Sequence, residues 1–182
     1  MEDTVLRGRI WVLLDRDGKL IEDIDTDQIY HNAFLHITDI SEMGKYAFGN
    51  LEGWKDFPEK AAAGDIVIAG RNFGAGSSRQ QAVDCFLALK VGAILAPSFA
   101  SIYFRNAVNS GLPVLKSAEI EPLVAGRKLN TGDEVEVDFL SGQAFNLSKA
   151  VSFFLAPMSD VQREIFRAGN LFAFGRSMSR RT

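Results

Sequence analysis

A chain of 182 residues is long enough for one domain with a real core and short for two. Its formal charge of −3 leaves no basic footprint for nucleic acid, and no apolar run approaches the ~20 residues of a membrane span. One cysteine, Cys85, excludes an internal disulfide and any metal site built from this chain's own thiolates. With the polar start MEDTVLRGR, which is not a signal peptide, this places the chain in a reducing cytoplasm.

Arg7 to Leu14 reads as a first strand, turned by Asp17-Gly18. EDIDTDQIYHNAF comes next, with carboxylates at Glu22, Asp23, Asp25 and Asp27. The spacing lacks the glycine bend and terminal glutamate of a calcium loop, so a polar turn bonding its own backbone is the simpler reading. His31 and His36 are the only histidines. Close in sequence and without a clear third partner, they read as loop residues rather than a catalytic base. Asp39 and Glu42 spell a capping box for a helix. Gly49, Gly53 and Pro58 break up the stretch after that helix, and Trp54 and Phe57 pack its loop down.

The central stretch, Asp65 to Val91, reads as strand, glycine-rich loop, helix. Ile66 to Ile68 suit a buried strand. Gly70, Gly74 and Gly76 allow a sharp turn and close approach, and Ser77 or Ser78 is a natural N-cap. Ala82, Val83, Cys85, Phe86, Leu87 and Leu89 then give a wide apolar helix face, with Cys85 a core residue. A helix N-terminus, two hydroxyls and the Arg79 guanidinium at one place make an anion site, since hydrogen bonds to a charged group are worth roughly 1.5–3 kcal/mol each. The loop is not a dinucleotide fingerprint, a P-loop or a nucleophile elbow. Arg79 stands where a third glycine is needed, no Lys is present, and neither serine has a glycine two residues on.

Ala93 to Ala96 is a short strand ending at Pro97. Ser98 starts a second helix that turns Phe99, Ile102, Tyr103 and Val108 inward and carries Arg105, Asn106 and Asn109 on its polar face, up to Gly111. Leu112 to Leu115 reads as a strand near an edge, because of Pro113. A short helix near Ala118 to Ala125 precedes a hairpin of EVEVDF and QAFNLSK. The last helix runs from about Ser159 to Ala168 and ends at Gly169, LFAFG packs after it, and the tail from Arg176 is frayed.

GRNFGAGSSRQQA and then VGAILAPSFASIYFRNAVNSGLPVL resemble the small subunit of 3-isopropylmalate dehydratase and homoaconitase, which corresponds to the swivelling domain of aconitase. The resemblance implies one α/β swivelling domain spanning residues 1–182, with a mixed, partly barrel-like sheet and helices packed outside. It implies a large subunit carrying a [4Fe–4S] cluster, with no metal bound by this chain, and a hydroxy-dicarboxylate substrate. It assigns Ser77 as the catalytic base, Ser78 to loop support and Arg79 to a substrate carboxylate. It places Asp27, in the Asp25-Thr26-Asp27 turn, near the reactive serine in an orienting role. The loop that touches the variable part of the substrate falls on Phe34, Leu35, His36 and Ile37, where isopropylmalate enzymes read YLRT and homoaconitases YLVY. Neither signature is met. The apolar loop ranks an alkylmalate of leucine biosynthesis first, with homoaconitase or another aconitase-like small subunit as the alternative. A stand-alone anion-binding module without catalysis is the reading from a different class.

Overall fold

The computed structural model describes residues 4–179. The sheet is built outward from β1 (Val5–Val12). On one side lie β2 (Ile66–Ile68), β3 (Ala93–Ala96) and β4 (Val114–Lys116), all parallel, with Ile10 opposite Ile66, Ile66 opposite Ala93 and Ile94 opposite Val114. On the other lie β5 (Glu134–Asp138), β6 (Gln143–Asn146) and β7 (Val151–Phe154), each antiparallel to its neighbour. The seven strands run in the order β4-β3-β2-β1-β5-β6-β7. The sheet curls until its edges meet: the Ala156 N–H, just past β7, donates to the Lys116 carbonyl of β4 at 2.7 Å. This is the expected mixed, partly closed α/β domain.

Two cores result from the curl. The concave face gathers Ile10, Ile66, Leu95, Leu115, Val135, Ala144 and Phe153 from all seven strands, plugged by Ile120 and Val124 of α6 (Ile120–Ala125). The convex face of the parallel half carries Val67, Ile94 and Val114 under the helices. These are α1 (Thr26–Ile29), α2 (Ile40–Met43) and α3 (Phe57–Lys60) between β1 and β2, then α4 (Gln81–Ala88) and α5 (Ser101–Asn109) after β2 and β3. Burial on both faces is why IVI and AILA read as unbroken apolar runs. The antiparallel half alternates instead, because its convex face meets solvent. β4 is an edge strand, as Pro113 predicts. α7 (Asp160–Ala168) and α8 (Leu171–Ser179) close the chain.

Several local expectations change. Asp39 caps α2 through Ser41 N, but Glu42 pairs with Lys45 rather than completing a capping box. Ser98 does not start α5, whose N-cap is Ala100; the Ser98 hydroxyl accepts from Asn72 N at 2.9 Å. Ile102 faces solvent, and Phe172, expected to pack, is 79% exposed. Arg176 to Ser179, where the sequence suggests a frayed tail, are the last residues of α8, and residues 180–182 of that expectation lie outside the described residues. β7 has no counterpart in the sequence reading.

Candidate active site

The site forms where the loops leaving the C-terminal ends of β1, β2 and β3 are stitched together. Asp23 N–H donates to Arg71 O at 2.9 Å, Gly74 N–H to Ile24 O at 2.8 Å and Thr26 N–H to Ala75 O at 2.9 Å. Phe73 and Ser98 join the third loop, through Phe73 N to Ser98 O at 3.2 Å and Ala100 N to Phe73 O at 3.0 Å. The crevice beyond the strand C-termini is the usual place for ligands in an open α/β sheet. Gly74 is indispensable here: at φ +81° a Cβ would lie 2.1 Å from Cγ of buried Tyr103. Gly76, at φ +88°, then passes over Thr26.

Ser77 and Ser78 are exposed at the crest of this loop. Neither caps α4, contrary to the sequence reading. The N-cap is Gln80, which makes no side-chain capping bond, because the chain reaches helical geometry only there. Both hydroxyls are thereby spared from capping. The dipole of α4 fades within a turn of its end, so it contributes little at Ser77. The Ser77 carbonyl accepts from Thr26 Oγ1 at 3.1 Å, and Thr26 Oγ1 stands 3.3 Å from Ser77 Oγ. The Ser78 hydroxyl lies 3.3 Å from Asn106 Nδ2, which gives the polar face of α5 a supporting contact. Gln80 Nε2 donates to Asp84 Oδ1 at 2.8 Å and Ser110 Oγ at 2.9 Å, tying α4 to the end of α5.

Arg79 is anchored by one nitrogen. Its Nη1 donates to Asp27 Oδ1 at 2.8 Å, Tyr30 O at 2.6 Å and Thr26 O at 3.4 Å. The side chain is only 13% exposed. Asp27 is held in return: Oδ1 also accepts from Asn32 N at 3.0 Å, and Oδ2 from Asn50 Nδ2 at 3.0 Å. The Arg79 bond chiefly, then the Asn32 N–H, hold the Asp27 carboxyl below its ordinary value against the opposing effect of burial. So placed, Asp27 is a fixed anion that orients Arg79. Asp25 behaves as the polar-turn reading expects, capping α1 in a box with Gln28. Thr26 and Asn50 had no spacing signal that pointed to these contacts.

The next loop divides. Phe34 stacks on Tyr46 at 4.1 Å between ring centroids, and with Ile37 it packs on the core. Leu35 and His36 face outward. His36 Nδ1 lies 3.0 Å from Ala33 O, which it reaches as a donor, leaving Nε2 at the surface. His31 accepts from Ala33 N at Nδ1, so its Nε2 carries the proton, 3.9 Å from Asp27 Oδ2. Cys85 is buried and burial pushes its thiol well above the ordinary range, the opposite of a metal-ligating thiolate. Among the described residues no group of three or more His, Cys, Asp and Glu is arranged to hold a metal ion, and no helix is long and apolar enough to cross a membrane.

Comparison with known proteins agrees with this architecture. Residues 47–119 match the aconitase C-terminal domain. The chain is 38% identical over 174 residues to 3-isopropylmalate dehydratase small subunit 1 of Archaeoglobus fulgidus, covering 96% of this chain and 99% of that protein. It is 41% identical over 156 residues to the small subunit of Caldicellulosiruptor saccharolyticus, covering 86% of each. The crystal structure of 3-isopropylmalate dehydratase from Methanocaldococcus jannaschii superposes with a TM-score of 0.82 at 30% identity, over 96% of this chain and 95% of that one. With near-complete coverage at these identities, and the glycine–serine–arginine loop set where the sheet presents it, the chain belongs to the 3-isopropylmalate dehydratase small-subunit family.

Proposed function

We propose that this chain is the small subunit of a heteromeric iron–sulfur hydro-lyase, active in the cytoplasm only with a large cluster-bearing subunit. It isomerises a 2-hydroxy dicarboxylic acid by dehydration and rehydration, and an alkylmalate of leucine biosynthesis is the first-ranked substrate. The observation that carries this reading is the stitched loop, with an exposed Ser77 beside an Arg79 held by Nη1 alone. Among the described residues the Nε and Nη2 edge of Arg79 makes no hydrogen bond, which leaves a two-point fork for a carboxylate.

The chain's residues divide the work. Arg79 binds a substrate carboxylate and Asp27 keeps the guanidinium in place. Ser77 Oγ, as the alkoxide, takes a proton from the carbon next to the hydroxyl-bearing carbon. The C–H pair becomes the alkene bond as hydroxide leaves the neighbouring carbon with its own pair, and re-addition at the other position completes the isomerisation. Buried Cys85 does not fit a cluster ligand, so the cluster is assigned to the large subunit, where it supplies Lewis-acid polarisation of the leaving hydroxyl. At the variable end of the substrate, Leu35 and His36 are the exposed members of the loop, with Phe34 and Ile37 shaping it from beneath. They offer hydrocarbon and one imidazole, with no permanent charge. Burying the third carboxylate of citrate or homocitrate there unpaired would cost several kcal/mol.

The test is anaerobic reconstitution of the cluster-loaded complex and comparison of kcat/KM across alkylmalates, citrate and homocitrate. Activity is expected only in the complex, with isopropylmalate or a smaller alkylmalate preferred. A clear preference for a tricarboxylate overturns the reading of the loop; turnover by this chain alone overturns the two-subunit assignment.

A further inference from the structure

Among the described residues, Thr26 is the buried side chain whose hydroxyl lies within hydrogen-bond distance of the Ser77 hydroxyl. It is 3% exposed, and its hydroxyl meets two oxygens of the same residue: Ser77 O at 3.1 Å and Ser77 Oγ at 3.3 Å. A threonine hydroxyl has a single proton and cannot donate to both at once. Its position is fixed by backbone on either side. Thr26 N–H is held by Ala75 O at 2.9 Å, and the preceding Asp25 caps α1 in a box with Gln28. The hydroxyl can therefore rotate but not withdraw.

Resting on the assignment of Ser77 as base, we propose that Thr26 is a positioning residue for it: a buried rotor whose proton moves from Ser77 O to Ser77 Oγ when that oxygen is ionised. With Ser77 neutral, the serine hydroxyl donates to Thr26 Oγ1 and Thr26 donates to the carbonyl. Once Ser77 Oγ, which is exposed, has released its proton to solvent and carries the charge, it is the stronger acceptor, and an O–H···O⁻ contact tightens to roughly 2.5–2.7 Å. No proton leaves Thr26. It turns back as Ser77 Oγ receives the substrate proton. A donor set beforehand against the developing anion needs no reorganisation of solvent, which is how such groups act on rate.

The experiment compares Thr26→Val and Thr26→Ser with wild type in the reconstituted complex, tracking kcat and KM against pH. Thr26→Val keeps the shape and removes the donor. Its kcat should fall by about 10²-fold, with KM nearly unchanged and the rising limb of the pH profile displaced to higher pH, since an oxyanion without its donor forms less readily. Thr26→Ser should restore kcat to within about three-fold of wild type, the hydroxyl being the group that matters. Equal losses in both variants, a loss confined to KM, or an unmoved pH profile would overturn the proposal. If Thr26→Val fails to assemble, Thr26→Ala is read in its place by the same criteria. Ser77→Ala run alongside separates the two claims. Wild-type turnover in that variant removes the base assignment and the rotor together, whereas an inactive Ser77→Ala beside a normal Thr26→Val removes only the rotor.

Discussion

The two halves of the sheet share one concave core and differ in what their loops do. In the parallel half the loops after β1, β2 and β3 bond to one another backbone to backbone, and Ser77, Arg79 and Asp27 sit on that scaffold. The antiparallel half is joined by short hairpins. Its convex face carries Val5, Phe145 and Phe154 around a concavity of about 540 Å³. That hollow is walled by Glu136, Asp138 and Gln143 beside those apolar side chains, with no arginine or lysine among its lining residues. Concavity alone does not mark the chemistry here. A polar group is held in place by loops whose own hydrogen bonds are satisfied by their neighbours.

The comparison breaks most sharply at Ser77. Ser77→Ala in the reconstituted complex should lower kcat by about 10²–10⁴-fold while leaving the fold and large-subunit binding intact. Turnover near wild type would sink the assignment. Gly74→Ala comes next, because the new Cβ meets the Tyr103 ring and the backbone sits at φ +81°. Strain and overpacking together should cost about 2–5 kcal/mol in urea unfolding. A loss under about 1 kcal/mol would mean the loop re-forms elsewhere.

Arg79→Lys keeps the charge and loses the fork. We expect kcat/KM to fall about 10–100-fold, near 1.4–2.8 kcal/mol. Sequence alone predicts little change in melting, but the bonds from Nη1 to Asp27, Tyr30 and Thr26 add a loss of about 1 kcal/mol in stability. Early melting with unchanged kinetics would make Arg79 purely structural. A smaller effect is read against pH. The folded Asp27 carboxyl is held below its unfolded value, so its contribution is present above the ordinary carboxylate value of about 3.9 and is lost as pH falls through the lower folded value. Carboxyl ¹³C titration should place Asp27 below that ordinary value, and Asp27→Asn should remove the corresponding acid-dependent loss. A normal or raised midpoint contradicts the clamp. The smallest effect belongs to the other half: Phe154→Thr, at a side chain 58% exposed, should stay within about 0.5 kcal/mol with unchanged turnover. A large loss of turnover there would erase the distinction between the halves.

What the sequence determined by itself was short in range. The IVI strand, the AILA strand, the Asp17-Gly18 turn and the β5–β6 hairpin are written in residues that lie within a turn or a pair of strands of one another. Ser159 and Gly169 mark both ends of α7 for the same reason, each acting on backbone a few residues away. The GSSR loop could be read as a candidate anion site because its glycines and polar side chains are contiguous. The tertiary structure decided whatever depends on distant chain. Arg79 meets Asp27 across 52 positions and Thr26 meets Ser77 across 51, contacts that no periodicity encodes. The spared Ser77 hydroxyl results from loop pairing that delays α4 to Gln81, overriding the local preference of serine for a cap. β7 escaped because Val-Ser-Phe-Phe leaves one of its two phenylalanines in water, and only pairing with β6 makes that segment a strand. Local propensity chose the elements; hydrogen bonds between loops far apart in the chain chose where Ser77, Arg79 and Asp27 are brought together.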